Sequence, residues 1–254
     1  KGIVSVHAEA IKAMAVWDDE LFHLFIDYLS FETSEGLMTG AALKRAGEAV
    51  WVHSVPKFKQ LKPIFMAQGR LLICTGYASD QELIQAMAER FGLPFQPLHE
   101  DDMFDTLEDV TAAERQRGER LLWAADEALL PFECQAELRR FLPADLPVLY
   151  AMSDEVQFLR QLQSAQEQSR GIFSDALASM LSGVEERPLA TLYLNLNSPI
   201  VRRLVTTADP ELLESMVQVL YVQALLAGGH PLRGGELKTM NQALLDLLEH
   251  TAGI

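Results

Sequence analysis

The chain has 254 residues, and its 21 basic and 36 acidic side chains give a formal net charge of 21 − 36 = −15. That length allows one large domain or two smaller ones, and 49% apolar residues are enough for a packed core. The acidic excess argues against nucleic acid as a partner because phosphate binding needs clustered Lys and Arg. The longest apolar runs are too short to cross a membrane, so we expect no membrane partner.

The first part of the chain is predicted to form a helix followed by a small α/β layer. Apolar residues at helical spacing indicate a helix from Ala8 to Leu29, which the polar run 32–36 ends. Ser79 and Glu82 predict a capping box at the start of a later helix. Strands are predicted at 49–55, 70–75 and 93–98, with helices at 57–68 and 79–91. Strands that alternate with helices are typical of a parallel sheet.

The second part is predicted to be mostly helical. A charged, poorly periodic stretch, 100–109, places the domain boundary so that the domains are 1–105 and 106–254. Thr111 and Glu114 form a capping box for a helix that Pro131 ends. The elements expected after it are paired strands at 137–142 and 147–151, a long helical region at 153–181, a strand at 192–196 and a helix at 199–205. The predicted fold class is therefore mixed α+β.

Two final helices have the clearest boundaries. Asp209, Pro210 and Glu211 supply an N-cap, a first-turn proline and a first-turn acid. Gly228 and Gly229 end that helix, and a second helix is predicted from 236 to 250. Both helices are apolar over more than one face, which is wider than the stripe a surface helix buries.

Apolar residues on more than one face of these helices predict either a homodimer interface or an intramolecular helical core, and periodicity leaves both open. Two helices from each subunit of a two-fold dimer are a common arrangement. The candidate interface residues are Leu213, Met216, Val217, Leu220, Tyr221, Ala224, Leu225, Met240, Leu244, Leu247 and Leu248.

The sequence does not predict an active site, a cofactor site or a metal site. The turn from Thr75 to Asp80 has one glycine where a dinucleotide fingerprint needs three. The six histidines are scattered without metal-ligand spacing. Cys74 lies in an apolar strand, where it should be inert, and Cys134 is far from it. Two distant cysteines favour a reducing compartment.

Segments of the second part resemble the heat-shock protein 90 chaperones. Residues 195–204, Asn-Leu-Asn-Ser-Pro-Ile-Val-Arg-Arg-Leu, are similar to the asparagine–proline–aliphatic–valine–basic segment that precedes the dimerisation helices of that family. Residues 220–228 resemble its alanine-leucine-leucine-alanine block. Residues 240–245 resemble its last helix, where an asparagine precedes the closing leucines.

The first part resembles the end of the middle domain in divergent bacterial members of the same family. Residues 18–22 and 31–34 carry this resemblance, and residues 51–98 fit the small α/β subdomain that closes the middle domain. The resemblance implies that 1–105 is the end of the middle domain and that 106–254 is the C-terminal dimerisation domain.

The family resemblance implies a cytoplasmic, ATP-driven homodimer that clamps on non-native client proteins, in protein folding and the stress response. The nucleotide-binding domain and the catalytic loop would precede Lys1, so ATP and Mg are implied for the intact protein and not for this chain. A start at Lys1 instead of Met supports a piece of a longer protein. The ending Thr251–Ile254, without an acidic tail, favours the bacterial, HtpG-like type.

In this family an exposed amphipathic helix of the C-terminal domain helps to hold clients. The corresponding region is predicted to begin near Met152, with Met152, Val156, Phe158 and Leu159 as client contacts. The same residues fit a core position equally well.

Two other functions fit the residues. The first is a small α/β enzyme with a helical oligomerisation domain, which requires convergent polar groups near Ser54, Thr75 and Gly76, at the carboxyl ends of the strands. The second is an acidic scaffold that has neither a pocket nor clients.

Overall fold

A computed structural model of the chain describes residues 7–98, 107–152 and 190–252. The chain forms two compact units, Lys1–Thr106 and Leu107–Ile254. The division falls one residue from the boundary that charge predicted. Each unit combines helices with a mixed sheet, which confirms the mixed α+β class. The helical region predicted at 153–181 lies outside the described residues.

The first unit has a five-stranded sheet in the order β2-β1-β4-β3-β5. Its helices are α1 (Ala8–Trp17), α2 (Asp19–Phe25), α3 (Gly40–Leu43), α4 (Val55–Ala67) and α5 (Asp80–Phe91). Its strands are β1 (Ser30–Thr33), β2 (Gly36–Thr39), β3 (Ala49–Val52), β4 (Leu71–Cys74) and β5 (Phe95–Pro97). The parallel pairing of β3 with β4 and with β5 confirms the predicted layer.

The prediction of one helix from Ala8 to Leu29 is wrong, because the chain breaks at Asp18. This residue is extended, with φ −123° and ψ 114°. Its carboxylate accepts hydrogen bonds from the backbone N–H groups of Glu20 and Leu21, at 2.9 and 3.0 Å. An aspartate that caps a second helix therefore divides a continuous apolar pattern.

The polar run at 32–36 forms a hairpin that the sequence did not predict. β1 and β2 pair antiparallel around Ser34 and Glu35. The Ser34 Oγ accepts from the backbone N–H of Leu72 at 3.0 Å and donates to the carbonyl of Arg70 at 3.3 Å. The Ser34 side chain thus joins the turn of the hairpin to β4.

The start of α5 does not have the predicted capping box. Ser79 has a positive φ of 67° and its side chain makes no cap hydrogen bond. The next residue, Asp80, is instead buried beside the ammonium of Lys12 on α1, with Nζ and Oδ1 2.7 Å apart. Burial raises the pKa of the Asp80 carboxyl, and Lys12 partly offsets this shift.

The second unit has a four-stranded sheet in the order β6-β7-β9-β8. Its helices are α6 (Ala112–Leu129), α7 (Pro199–Thr206), α8 (Pro210–Gly228) and α9 (Gly234–Ala252). Its strands are β6 (Glu108–Asp109), β7 (Cys134–Arg140), β8 (Val148–Met152) and β9 (Ala190–Asn195).

The capping box predicted for α6 is confirmed. The Thr111 hydroxyl accepts from the backbone N–H of Glu114 at 3.3 Å, and the Glu114 carboxylate accepts from the backbone N–H of Thr111 at 3.0 Å. The hydroxyl and the amide of Thr111 hold the pKa of Glu114 below its usual range. Arg140 on β7 pairs with the same carboxylate and so ties the helix start to the sheet.

The predicted pairing of the strands now labelled β7 and β8 is wrong. β9 lies between them, parallel to β7 and antiparallel to β8. The short connection suggested a hairpin, but its residues contact the end of β9 instead. The Asn195 side chain organises this contact.

Asn195, the last residue of β9, is fully buried. Its amide Nδ2 donates to the carbonyls of Phe141, Pro143 and Leu146, at 3.0, 3.3 and 2.8 Å. Its Oδ1 accepts from the backbone N–H groups of Phe141 and Asn197, at 3.1 and 3.0 Å. One side-chain amide therefore bonds one N–H group and three carbonyls of the β7–β8 connection.

We predict that Asn195→Ala lowers the free energy of unfolding of the second unit by about 3 kcal/mol, because it removes the side-chain hydrogen bonds to Phe141, Pro143 and Leu146 and leaves the buried Phe141 N–H group without its acceptor. The control is Asn197→Ala, which removes a single side-chain bond to Phe141 and should cost about 1 kcal/mol. Urea unfolding measures both. Equal effects would contradict a special role for Asn195.

Candidate functional site

The residues predicted to begin and end the first helix of the pair α8–α9 form its two caps. The carboxylate of Asp209 accepts from the backbone N–H groups of Glu211 and Leu212, at 3.1 and 3.3 Å, and Pro210 opens α8. Gly229 ends the helix with a positive φ of 70°, a conformation that glycine adopts without strain. This confirms the predicted boundaries of α8.

Most of the apolar surface of α8 is covered by its own unit. Six of the eleven predicted interface residues are buried in the core that α8 forms with α6 and the sheet: Leu213, Val217, Leu220, Tyr221, Ala224 and Leu225. Met216 and Met240 are partly buried against the same core. The intramolecular alternative thus explains these eight residues, and their part in a dimer remains a prediction.

A buried hydrogen bond fixes α9 on α8. The Tyr221 hydroxyl donates to Oε1 of Glu236 at 2.9 Å, and the backbone N–H of Arg233 donates to Oε2 at 2.7 Å. Glu236 is fully buried, and the ring of Tyr221 stacks on Phe132 with 5.1 Å between centroids. Sequence reasoning missed Glu236, because an acid in a first helical turn is normally a solvated charge.

The two sides of α9 differ. At about 100° per residue, Glu236, Met240, Ala243 and Leu247 fall on one side, and Glu236 and Ala243 are buried. A neighbouring side carries four exposed leucines that we call the leucine stripe: Leu237, Leu244, Leu245 and Leu248.

The leucine stripe is the part of the predicted interface that its own unit leaves open. Leu244 and Leu248, both predicted, are 42% and 64% exposed, and Leu247 is half-buried. Leu237 and Leu245 were not among the predicted contacts, although their helical spacing places them on the same stripe. Four large apolar side chains on one solvent-facing side of a helix are typical of an interaction site.

The predicted client contacts are only partly described. Met152, at the end of β8, is half-buried and packs against the core of the second unit. Val156, Phe158 and Leu159 lie outside the described residues. The client-contact prediction therefore stays a prediction.

The first unit presents exposed apolar residues of its own, in two pairs at helical spacing. Met14 and Trp17 lie three residues apart at the end of α1, and Trp17 is 90% exposed. Leu24 on α2 and Tyr28 just after it lie four residues apart, and both are more than half exposed. We call these four residues the α1–α2 apolar pairs. Sequence periodicity predicted one helix here and so did not separate the exposed residues from the buried ones.

The polar groups at the carboxyl ends of the parallel strands form hydrogen bonds with the backbone of their own unit. The Ser54 hydroxyl accepts from the backbone N–H of Lys57 at 3.3 Å and so caps α4. The Thr75 hydroxyl donates to the carbonyl of Val52 at 3.1 Å. A Cβ on Gly76 would lie 2.7 Å from Cγ2 of Val55, so this glycine allows close packing. These hydrogen bonds and this close packing give Ser54, Thr75 and Gly76 structural roles.

A cavity of about 650 Å³ lies at the opposite, amino-terminal edge of the first sheet. Its charged lining residues have both signs: Glu35, Arg45, Glu48 and Arg70. Ligand sites of parallel sheets lie at the carboxyl ends of the strands. The cavity is therefore not where an α/β enzyme would place its substrate.

No helix in the described part of the chain is long and apolar enough to span a membrane. Within residues 7–98, 107–152 and 190–252, no group of three His, Cys, Asp or Glu side chains is arranged to hold a metal ion. The chain matches no protein-family model and no curated protein sequence.

We predict that Tyr221→Phe lowers the free energy of unfolding of the second unit by about 2 kcal/mol, because the buried Glu236 carboxylate loses a donor. Tyr28→Phe, at an exposed tyrosine, is the matched control and should have no effect. Urea unfolding gives the free energies, and amide hydrogen exchange should show the loss concentrated in α9. Unchanged protection of α9 would contradict its anchoring by Tyr221.

Proposed function

We propose that the chain is the homodimerising and client-binding part of an ATP-dependent molecular chaperone that acts in protein folding in the cytoplasm. The resemblance to the heat-shock protein 90 family suggests the class. The observation that carries the proposal is the leucine stripe on α9. ATP and Mg belong, in this proposal, to a part of the protein outside these residues.

The leucine stripe supports a dimer because α9 has little other cover. Its inward side contributes only Glu236 and Ala243 as buried residues, yet the next side exposes four leucines. A second copy brings the same stripe, so the two surfaces match each other by symmetry. The α9 helices of the two copies then cover each other's leucine stripe.

The α1–α2 apolar pairs support client binding. Non-native proteins expose apolar residues, and exposed aromatic and aliphatic side chains on helices can bind them without a defined partner sequence. Glu20 and Asp27 next to Leu24 keep this region solvated, and the net charge of −15 opposes non-specific aggregation.

The α/β enzyme remains the second candidate, but the hydrogen bonds of Ser54 and Thr75 within the fold count against it. Nucleotide or substrate binding by this chain, measured by calorimetry, would favour the enzyme over the chaperone.

We predict that the wild-type chain is a dimer by light scattering, with about twice its mass of 28.3 kDa, and that Leu244→Glu with Leu248→Glu makes it a monomer. Carboxylates in an apolar interface lose their hydration, which opposes association. The control is Leu130→Glu, at a leucine of the same unit that is 75% exposed. A monomeric wild-type chain would refute the dimer, and a dimeric double variant would place the interface elsewhere.

We predict that Leu24→Ser with Tyr28→Ser reduces severalfold the ability of the chain to suppress aggregation of thermally unfolding citrate synthase, because less apolar surface is offered to the client. Light scattering at a wavelength that the proteins do not absorb follows aggregation. The control is Leu37→Ser, at an exposed leucine of β2. Equal suppression by all three proteins would rule out the α1–α2 apolar pairs as the client site.

A further inference from the structure

Asn241 interrupts the leucine stripe. At about 100° per residue, Leu237, Asn241, Leu244, Leu245 and Leu248 fall within one sector of α9. Asn241 is the polar member of that set. It is exposed, whereas its neighbour Gln242 lies on the polar side and donates to Asp246 at 2.8 Å.

An asparagine that becomes buried in an apolar dimer interface needs a hydrogen-bond partner. An amide that is buried without a partner destabilises the interface that buries it. The side-chain amide has both a donor and an acceptor, so two asparagines facing each other satisfy each other. In a two-fold dimer of antiparallel helices, only the residue at the axis meets its own copy.

The sequence around Asn241 is symmetric in the way that such an axis requires. Leu237 lies four residues before Asn241 and Leu245 four residues after it. With Asn241 at the axis, Leu237 of one copy faces Leu245 of the partner subunit, and the reverse contact follows by symmetry. The single pair of asparagine amides is then flanked on either side by a pair of leucines.

The charges along α9 favour the antiparallel arrangement over a parallel one. Arg233 lies just before α9 and Lys238 in its second turn, whereas Asp246 and Glu249 lie towards its carboxyl-terminal end. Glu236, between the two basic residues, is buried and bonded to Tyr221, so it is not part of the exposed side. Parallel pairing would put like charges opposite each other, whereas antiparallel pairing puts basic ends opposite acidic ends.

We propose that Asn241 pairs with Asn241 of the partner subunit at the two-fold axis of an antiparallel α9–α9 contact, and that this pair sets the register of the dimer. This inference rests on the proposed homodimer. A single polar residue in an apolar seam is known to specify register and oligomeric state at some cost in stability.

Disulfide trapping tests the register. Under mild oxidation, Asn241→Cys should form a covalent dimer in most of the protein, because the two sulfurs face each other at the axis. Leu248→Cys should not, since antiparallel pairing moves its two copies apart. Both native cysteines are buried, so the wild-type chain gives the background.

The outcomes separate this inference from the dimer itself. Light scattering first establishes the mass without oxidation. A dimer in which Asn241→Cys does not cross-link, or in which Leu248→Cys cross-links equally well, overturns the register but leaves the homodimer intact. A monomer overturns both.

A charge substitution gives an independent readout. Asn241→Asp should weaken the dimer at least tenfold at pH 8, where two carboxylates would meet, and should recover it near pH 5, where the pair can share a proton. Gln242→Glu makes the same change of charge one residue away and should do neither. Equal weakening by both variants, or no recovery at low pH, would contradict self-pairing.

Discussion

The hydrogen bond between Tyr221 and Glu236 holds α9 on α8 and so determines which side of α9 faces solvent. α9 fully buries only Glu236 and Ala243 and half-buries Met240 and Leu247. Apolar burial therefore contributes little to its position, and the buried Glu236 carboxylate requires its donors. A carboxylate that must reach the Tyr221 hydroxyl and the Arg233 amide allows α9 one position on α8. That position turns the leucine stripe towards solvent, and the proposed dimer follows from it.

Some features determined by neighbouring residues could be predicted from the sequence, although the capping box predicted at Ser79 does not form and the N-cap at Asp18 was not predicted. The N-cap at Asp209 and the capping box of Thr111 and Glu114 are local interactions, so their spacing identifies them. The partners of the strands are not local. β9 separates β7 from β8 because the buried Asn195 amide binds the connection between them, and nothing in the short span 141–147 indicates a partner some fifty residues later.

The candidate site was predicted in outline but not residue by residue. Periodicity identified two helices that are apolar on more than one side, yet it cannot tell which side the unit itself covers. Leu213 and Leu225 face the core, whereas Leu244 and Leu248 face solvent. Glu236 had no local signal, because its role depends on a tyrosine fifteen residues earlier on another helix.

The buried pair of Lys12 and Asp80 has a consequence for the variation that the first unit can accept. Losing the lysine would leave a carboxylate alone in the core, and losing the aspartate would leave an ammonium there; either is far more costly than replacing both with apolar side chains. Substitutions at these two positions, 68 residues apart in sequence, are therefore coupled. Among related chains, both charges should persist together or disappear together.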